Sequence, residues 1–351
     1  MDYINYVKQS PMMGQIGLGG GATSLGRYSG AGIEDWAGGR GFIGGGYAPT
    51  TPSPYHLNNI QYVTFTSLGN ASDFGDLSAA SQAPIGISQK TRVLHAGGRP
   101  PSPAPGPRTE VDSINPDSNA NATDWGDLVA GRGVMAVGGN SNGTRGLIIS
   151  GSGSPSPRLD NMQYLTILTG NQAYNFGDMN NSSNQTAARW GGGGIQGNET
   201  RSIAAGGESG SSSPWTGKGI CYVTTATTGN AQGFGDLAYT VHYGGGCANA
   251  TRGVWFGSAD SSNEEKCQYI TVDTTGNATD FADMPTQSWS NVSSNAMASN
   301  GSGDIGISMG NAGPYASECC QKAISTTANA TNFGHLAYDA GYGSQGAAGG
   351  S

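Results

Sequence analysis

The sequence predicts an all-β protein: a single β-propeller of six four-stranded blades, with seven blades as the alternative count. One phrase recurs six times, no long stretch has helical periodicity, and 61 of the 351 residues are glycine. Self-similarity at a spacing of about 50 residues is typical of solenoids, propellers and arrays. A ring of such repeats also removes the exposed sheet edges that otherwise aggregate.

The repeated phrase supplies the third and fourth strands of each blade. Its first half alternates apolar and polar residues, as a half-buried strand does. A turn that reads Gly-Asn-Ala or a near variant follows. The second half carries an aromatic residue and then Gly-Asp-Leu or a near variant. The six copies are Gln61 to Leu77, Val111 to Leu128, Gln163 to Met179, Tyr222 to Leu237, Gln268 to Met284 and Lys322 to Leu336.

Two further strands precede the phrase in each unit. The first is small and rich in Gly and Ala, as in 243–248, which suits the crowded centre of a propeller. The second begins with Thr-Arg and ends near Gly-Gly, as in 91–98. The aromatic fourth strand suits the outer edge, where each blade packs on the next. The predicted blades are 28–79, 80–129, 130–180, 181–238, 239–285 and 286–337.

The two ends of the chain depart from this pattern. Residues 338–346 resemble one more first strand, which could pair with the N-terminal residues as part of a seventh blade. Residues 1–27 lack the blade pattern, and we expect an extended arm that precedes a propeller domain of residues 28–351. The arm contains a glycine run and apolar anchors, so we expect it to order on meeting a partner. Its candidate anchors are Tyr3, Tyr6, Met12 and Met13.

Composition and charge exclude several classes of function. The net charge is −8 with only scattered arginines, which argues against a nucleic-acid surface. No apolar run approaches the length of a membrane span, and the first residues do not resemble a signal peptide. Calcium loops and paired cysteine motifs for zinc are not found in the sequence, so we expect no metal and no cofactor.

The cysteines and histidines also favour structural roles. The five cysteines, all beyond residue 220, are expected to be small buried hydrophobes on strands. The four histidines lie in four different units without an obvious partner, and a lone histidine is usually structural. We therefore expect no catalytic residues and no enzymatic activity. Ser-His-Asp catalysis depends on spatial proximity and stays open at this point.

An aspartate on the fourth strand and an arginine at the start of the second strand recur in almost every unit. Because a ligand site is normally single, we expect structural ion pairs or arginine stacking on a blade aromatic. Rings of charge that grip a ligand in the channel are the alternative. In the last unit both residues change, to Asp304 and His335. The candidate pairs are Asp76 with Arg92, Asp127 with Arg145, Asp178 with Arg201, and Asp236 with Arg252.

The loops between the second and third strands differ in length and sequence from unit to unit. By propeller geometry they share one face, and variable loops on a rigid scaffold are a common binding arrangement. They could equally be tolerated surface loops. The candidate binding residues in them are Tyr55, Trp215 and Tyr315.

The units resemble a known family. Second strands that end in Gly-Gly, followed by a strand with tyrosine, an aromatic and an arginine, resemble the kelch repeat. The fuller phrase, Gly-Asn-Ala-Thr-Asp-Phe with Gly-Asp-Leu and Thr-Arg-Gly, is similar to kelch-like repeat proteins of marine bacteriophages, especially those of cyanobacteria. The likeness covers about residues 28–346, with departures at Gly257-Ser258 and Gly310-Asn311. The Gly-Gly pairs that carry it are Gly45-Gly46, Gly97-Gly98 and Gly206-Gly207.

This resemblance implies a non-enzymatic virion protein: a tail fibre, knob or capsid decoration, assembled in the host cytoplasm and carried on the extracellular particle. Residues 1–27 would contact other virion proteins or a second copy of the chain. The propeller would attach to the host surface, with a surface glycan as one candidate ligand. The alternatives are a carbohydrate-active propeller enzyme and a cellular kelch-type protein-interaction module.

Overall fold

The structure is a computed structural model of a six-bladed β-propeller, and each blade is a four-stranded antiparallel sheet. No α-helix occurs among the described residues, because period-two alternation and frequent glycine turns leave no long helical stretch. The described residues are 38–48, 55–103, 106–132, 139–151, 159–179, 195–207, 217–242, 244–258, 265–285, 296–301, 304–310, 317–339 and 346–349.

The first strand of each blade is the innermost, and these six strands contact one another in a ring around the centre. Their small residues allow this close approach, as the sequence predicts. They are β4 (Ile85–Gln89), β8 (Gly139–Ser141), β12 (Ile195–Gly197), β16 (Gly245–Ala248), β20 (Ala296–Ser299) and β24 (Gly346–Gly349).

The second and third strands form the middle of each blade. The second strands are β1 (Arg40–Tyr47), β5 (Arg92–Ala96), β9 (Arg145–Gly151), β13 (Arg201–Ala205), β17 (Arg252–Phe256) and β21 (Ile305–Met309). The third strands are β2 (His56–Thr64), β6 (Glu110–Ile114), β10 (Leu159–Thr166), β14 (Gly219–Thr224), β18 (Lys266–Thr271) and β22 (Glu318–Ala323).

The fourth strands form the outer edge. They are β3 (Ser72–Asp76), β7 (Thr123–Asp127), β11 (Tyr174–Asp178), β15 (Gln232–Asp236), β19 (Thr279–Asp283) and β23 (Thr331–His335). The end of the ring where second strands finish and fourth strands finish is named the loop face. The opposite end, with the first-to-second turns and the third-to-fourth turns, is named the turn face.

The C-terminal strand closes the ring. Strand β24 pairs antiparallel with β1, with Arg40 opposite Gly349 and Ile43 opposite Gly346. The first strand of blade 1 is therefore β24, and β1, β2 and β3 complete the blade. The alternative of a seventh blade is wrong, because the six sheets include every strand of the described residues. The stretch expected to begin a seventh blade, 338–346, shares only Gly346 with β24, and 340–345 lie outside the described residues.

The core is divided into six apolar clusters, one between each pair of neighbouring blades. The repeated aromatic of each fourth strand lies in one of these clusters and is at most 7% exposed. Burying a large apolar side chain stabilises a fold by about 1.5–3 kcal/mol, so these six residues hold the blades together. They are Phe74, Trp125, Phe176, Phe234, Phe281 and Phe333.

Candidate functional site

The Gly-Asn-Ala turn of each blade bonds to the Gly-Asp segment of the preceding blade, an arrangement named the clasp. The alanine N–H donates to the carbonyl of the residue after the glycine, at 2.7–3.0 Å, at all six interfaces. At five interfaces the asparagine Oδ1 also accepts the N–H of that same residue, as Asn121 does from Asp76 at 3.1 Å. The other four are Asn230 with Asp178, Asn277 with Asp236, Asn329 with Asp283, and Asn70 with His335.

The glycine before each aspartate gives the neighbouring turn room to approach. A Cβ on Gly177 would lie 2.3 Å from the carbonyl oxygen of Gly229, and the φ angle of Gly177 is 154°. Both facts favour glycine over any other residue. Blade 5 is the exception, because Ala282 holds this position with a φ of 104°. The most repeated residues of the chain therefore serve blade packing.

The recurring arginines stack on tyrosines of the third strand in four blades. The guanidinium carbon lies 4.5–4.6 Å from the ring centre for Arg40 on Tyr62, Arg145 on Tyr164, Arg201 on Tyr222 and Arg252 on Tyr269. Several also donate from Nη1 to a backbone carbonyl of the next blade, as Arg252 does to Ser325 at 2.6 Å. Blade 2 has Ser113 at the position of these tyrosines, and its Arg92 donates to the carbonyls of Ile167 and Leu168 in blade 3.

The recurring aspartates do not form ion pairs with these arginines in the part of the chain that the structure describes. The reason is their placement. In the candidate pair of Asp127 and Arg145, Asp127 pairs in register with Glu110, near the loop face, whereas Arg145 of the next blade pairs with Thr166, at the turn face. Five residues of extended strand separate the two positions along a blade, about 17 Å. Of the two expected arrangements, ion pairing is therefore wrong and stacking on a blade aromatic is found.

The aspartates instead bond within their own blade. Lys266 forms an ion pair with Asp283 at 3.0 Å, and the Thr109 hydroxyl donates to Asp127 at 3.1 Å. Asp76 accepts from Asn59 at 3.5 Å. Neither charged series converges on a ligand site in these contacts.

A buried glutamine on the third strand makes a second contact between blades, which the sequence reasoning missed. In blade 5, Gln268 Oε1 accepts the N–H of Ala238 at 2.8 Å and its Nε2 donates to the carbonyl of Tyr239 at 3.0 Å. Gln61 and Gln163 bond the preceding blade in the same way. The signal was present, because glutamine recurs at this position in three copies of the phrase.

Cysteine replaces this glutamine in blades 4 and 6. There the preceding blade ends its phrase in methionine instead of leucine, so Cys221 meets Met179 and Cys320 meets Met284 at sulfur–sulfur distances of 3.9 and 4.0 Å. Both partners therefore change together, and a contact between two sulfur atoms replaces the polar contact of the glutamine. Such contacts are favourable in cores because thiols and thioethers are polarizable.

All five cysteines are buried and free, on strands β14, β16, β18 and β22. Burial raises the pKa of Cys267 and of Cys319 to about 12, and raises the pKa of Cys247 and of Cys320 further above the ordinary value. Since the thiolate is the nucleophile and the metal ligand, these thiols are unreactive near neutral pH. The expectation of small buried hydrophobes on strands is confirmed.

His95 is the most deeply buried histidine and packs against the backbone of Gly44 in blade 1. Neither ring nitrogen has a hydrogen-bond partner among the described residues, and burial lowers the pKa to about 4. The pKa of His56 is also lowered, by burial and by the charge of Arg99. An imidazole that stays neutral without a partner is suited to packing rather than to proton transfer.

The Asn-x-Thr sequences at the turn face build the turns between first and second strands. Asn198 Oδ1 accepts the N–H of Thr200 and of Arg201, both at 3.0 Å. Asn249 does the same for Thr251 and Arg252. These asparagines therefore serve backbone bonding.

At the loop face, three of the second strands end in Gly-Gly. The first glycine has a positive φ and lies against a backbone carbonyl of the segment that leads to the next blade. The second glycine donates its N–H to that carbonyl, as Gly98 does to Arg132 at 2.6 Å. In three blades this bond fixes where the variable loop begins. The glycine N–H and carbonyl pairs are Gly46 with Ser81, Gly98 with Arg132, and Gly207 with Val241.

The candidate binding residues lie in these loops. Tyr55 is 38% exposed, stacks on Tyr47 with ring centres 5.5 Å apart, and is thus available at the loop face. Trp215 and Tyr315 lie outside the described residues. The candidate anchors Tyr3, Tyr6, Met12 and Met13, and the whole of residues 1–27, also lie outside them.

Comparisons with known proteins add no family assignment. No protein-family model matches the sequence, and no curated protein matches it significantly.

A shallow pocket of about 270 Å³ lies at the outer side of blade 5 near the turn face. Tyr269 and Phe234 form its apolar wall, and Thr271, Thr275 and Asn277 contribute polar groups. Asn277 and its neighbours also form the clasp with blade 4. The pocket is thus a by-product of the packing between these blades.

The described residues contain no group of three or more His, Cys, Asp or Glu side chains arranged to hold a metal ion. They also contain no helix of the length and hydropathy that a membrane-spanning helix requires.

Proposed function

We propose that this chain is a non-enzymatic binding propeller whose recognition surface is the loop face. One observation carries the proposal: the residues that repeat from blade to blade are used to hold the ring together, through the clasps and buried glutamines between blades and through the arginines stacked on tyrosines within blades. Sequence variation is left to the loops between second and third strands. A rigid scaffold with variable loops on one side is suited to binding.

The chemistry of the described residues supports binding over catalysis. A raised pKa keeps the thiols of Cys247, Cys267, Cys319 and Cys320 protonated at neutral pH, and a lowered pKa keeps His95 neutral. The recurring carboxylates and guanidinium groups lie at opposite faces, so they do not assemble one charged centre. A carbohydrate-active propeller would instead need carboxylates and arginines at one mouth of the channel.

We further propose that the protein acts on a virion, as a structural or attachment component. The support is the resemblance of the repeated phrase to kelch-like proteins of marine bacteriophages. In this proposal residues 1–27 anchor the chain to other virion proteins or to a second copy. The loop face then meets the host surface, with a surface glycan as the candidate ligand.

Binding of the fluorescently labelled full chain to intact marine cyanobacterial cells tests this function. We expect saturable binding by flow cytometry. We also expect a variant carrying Tyr55→Ala, Trp215→Ala and Tyr315→Ala to bind at least about tenfold more weakly, since aromatic anchors dominate many interfaces.

The matched control carries Leu68→Ala and Leu168→Ala, which remove exposed apolar side chains from the turn face. This control should bind as the unmodified chain does. Equal loss in both variants, or binding to none of a panel of host strains, would argue against the loop face as an attachment surface. Release of sugar from isolated cell-surface polysaccharide would favour the enzyme instead.

A further inference from the structure

The loop face presents an aromatic side chain and a guanidinium group at equivalent positions of blades 1 and 2. Tyr47 is the first residue after Gly45-Gly46 in blade 1, and Arg99 is the first residue after Gly97-Gly98 in blade 2. Both residues stand where the variable loop of their blade begins. They therefore lie at the same height on neighbouring blades.

Backbone hydrogen bonds tie both positions to the connection between the two blades. The N–H of Gly46 donates to the carbonyl of Ser81 at 2.8 Å. At the next residue of that connection, the N–H of Arg99 donates to the carbonyl of Gln82 at 2.7 Å, and the N–H of Gln82 donates back at 2.8 Å. Because Tyr47 follows Gly46, the side chains of Tyr47 and Arg99 start from neighbouring places on this connection.

Three rings of blade 1 form a row at this place. The Tyr47 ring lies between those of Tyr55 and His56, with ring centres 5.5 and 5.6 Å away. The half-buried imidazole meets Tyr47 edge to face, at an interplanar angle of 89°. On the other side of Tyr47, Tyr55 is 38% exposed. The tyrosine pair thus offers a rigid contact surface that is apolar with polar tips.

The guanidinium of Arg99 is exposed beside this row. Among the described residues it forms no ion pair and no hydrogen bond. Its positive charge is, after burial, a cause of the lowered pKa of His56, which indicates that the guanidinium lies near the rings. Arg108, at the other end of the same loop, has a partner for each of its three nitrogen groups. Of these two arginines, Arg99 is therefore the one available to a ligand.

We propose that Tyr47, Tyr55 and Arg99 form a binding site for an acidic saccharide, a sugar that carries a carboxylate or a sulfate group. The C–H groups on one face of a sugar ring carry partial positive charge and pack against the negative face of an aromatic ring. The planar guanidinium fork binds a carboxylate or a sulfate through two parallel hydrogen bonds. The inference rests on the proposed function, since it names the class of ligand that the loop face recognises.

The charge of the molecule favours this ligand over a polyanion such as a nucleic acid. The net charge of −8 repels extended polyanions, and nucleic acids are held by cations distributed along several phosphates. An acidic saccharide needs a single ionic contact, because its sugar rings supply the remaining contact with the tyrosines. A free anion such as phosphate would make no use of the tyrosine pair.

His56 provides a local readout of binding. Burial and the charge of Arg99 both lower its pKa. An anion bound to Arg99 offsets that charge, so the pKa of His56 should rise toward its ordinary value. NMR titration of the imidazole, with and without ligand, measures this shift. Arg99→Gln should raise the pKa in the absence of ligand and abolish the further rise. An unchanged pKa at saturating ligand would place the anion elsewhere and overturn the inference.

Calorimetric titration of the full chain tests the class of ligand. The first pair of probes is tetragalacturonate and its methyl ester, which share one sugar backbone and differ in charge. The second pair is a sulfated galactose tetrasaccharide and its desulfated form. In at least one pair we expect the acidic probe to bind at least about tenfold more tightly than the neutral one, which corresponds to about 1.4 kcal/mol. Equal binding within both pairs, or no binding of either acidic probe, overturns the inference.

Two variants test the site itself. Arg99→Gln and Tyr55→Ala should each weaken binding of the acidic probe at least about tenfold, since arginine and tyrosine often dominate binding energy. Both side chains are exposed, so both variants should fold. Unweakened binding in both variants would show that the site is wrong.

Each variant has a matched control. Lys218→Gln makes the same change of charge at the loop face of blade 4, where Lys218 is exposed. Tyr174→Ala removes another exposed tyrosine, from the outer strand of blade 3. Both controls should bind the acidic probe as the unmodified chain does. Equal weakening in the controls would show that overall charge or aromatic content, and not this site, governs binding.

Cell binding separates this inference from the proposed function. Cells whose sugars have been cleaved with periodate should bind less of the chain, whereas loss of binding only after protease treatment would indicate a protein ligand and overturn the inference. If no acidic probe binds and Arg99→Gln still binds cells fully, the acidic-saccharide site is wrong and the loop face remains the attachment surface. Binding of an acidic probe at Arg99 without any binding to host cells would count against the proposed function alone.

Discussion

At the scale of single residues, several titratable groups of this chain are buried away from solvent. His95 is the clearest case, since it lies opposite Asp112 in register yet shares no hydrogen bond with it. The carboxylate of Asp112 instead accepts the N–H of Ser78 in blade 1. The imidazole is therefore held neutral by burial alone, and protonating it works against the fold.

The stability of the protein should fall as the pH is lowered from about 6.5 to about 4. An unfolded histidine titrates near pH 6.5, whereas the pKa of His95 in the fold is lowered to about 4. In that window the unfolded chain binds the proton and the folded chain does not, so acid favours unfolding. The part due to His95 is about 3 kcal/mol once the pH is below 4.

Urea unfolding at several pH values measures this effect. His95→Leu should flatten the pH dependence in that window while the free energy of unfolding near pH 8 changes much less. An unchanged slope in this variant would show that other groups cause the acid sensitivity.

At the scale of elements, the clasp explains why one phrase recurs. Its glycine allows the approach of the next turn, its asparagine accepts an N–H, and its alanine donates one to the preceding blade. Ala282 breaks the rule with a φ of 104°, a conformation that residues with a Cβ rarely adopt. Substitutions at Ala282 and at Gly177 therefore test the need for glycine in the clasp in opposite directions.

Ala282→Gly should stabilise the protein by about 1 kcal/mol, because it removes backbone strain of that order. Gly177→Ala should destabilise it by about 2–4 kcal/mol, because a Cβ would lie 2.3 Å from the Gly229 carbonyl oxygen. Chemical unfolding of both variants beside the unmodified chain provides the measurement. If Gly177→Ala were neutral, close approach in the clasp would not be what selects glycine.

The sequence was sufficient to predict most of the elements. The small first strands, the Thr-Arg starts and the aromatic fourth strands each lie where their periodicity and size place them. The tail was harder, because pairing between distant segments leaves no local signal. The sequence suggests a first strand over 338–346, whereas the strand that pairs with β1 and completes blade 1 is Gly346–Gly349.

Contacts between blades were the least accessible to sequence reasoning. The recurrence of aspartate and arginine suggested that they pair, but recurrence does not reveal that they sit at opposite ends of a blade. The buried arginine between blades 2 and 3, Arg132, also left no pattern in the sequence, since it occurs once.

At the scale of the whole molecule, the ring is sealed by similar contacts at every interface. The clasp between Ala71 and His335, at 2.7 Å, joins blade 6 to blade 1 as the other clasps join their neighbours. Strand β24 adds a second closure at the centre. The repeated residues therefore stabilise the ring, whereas the sequences of the loops at the loop face can vary.

One measurement tests this division of labour most directly: a substitution series scored both for the free energy of unfolding and for cell binding per folded molecule. Asn121→Ala and Gln163→Ala represent the repeated contacts, and Tyr55→Ala, Trp215→Ala and Tyr315→Ala represent the loop face. The account predicts that the first set lowers stability and leaves binding per folded molecule unchanged, whereas the second set preserves stability and lowers binding. The opposite pattern, with binding lost at Asn121 or Gln163 in a fully folded protein and retained in every loop variant, would contradict it.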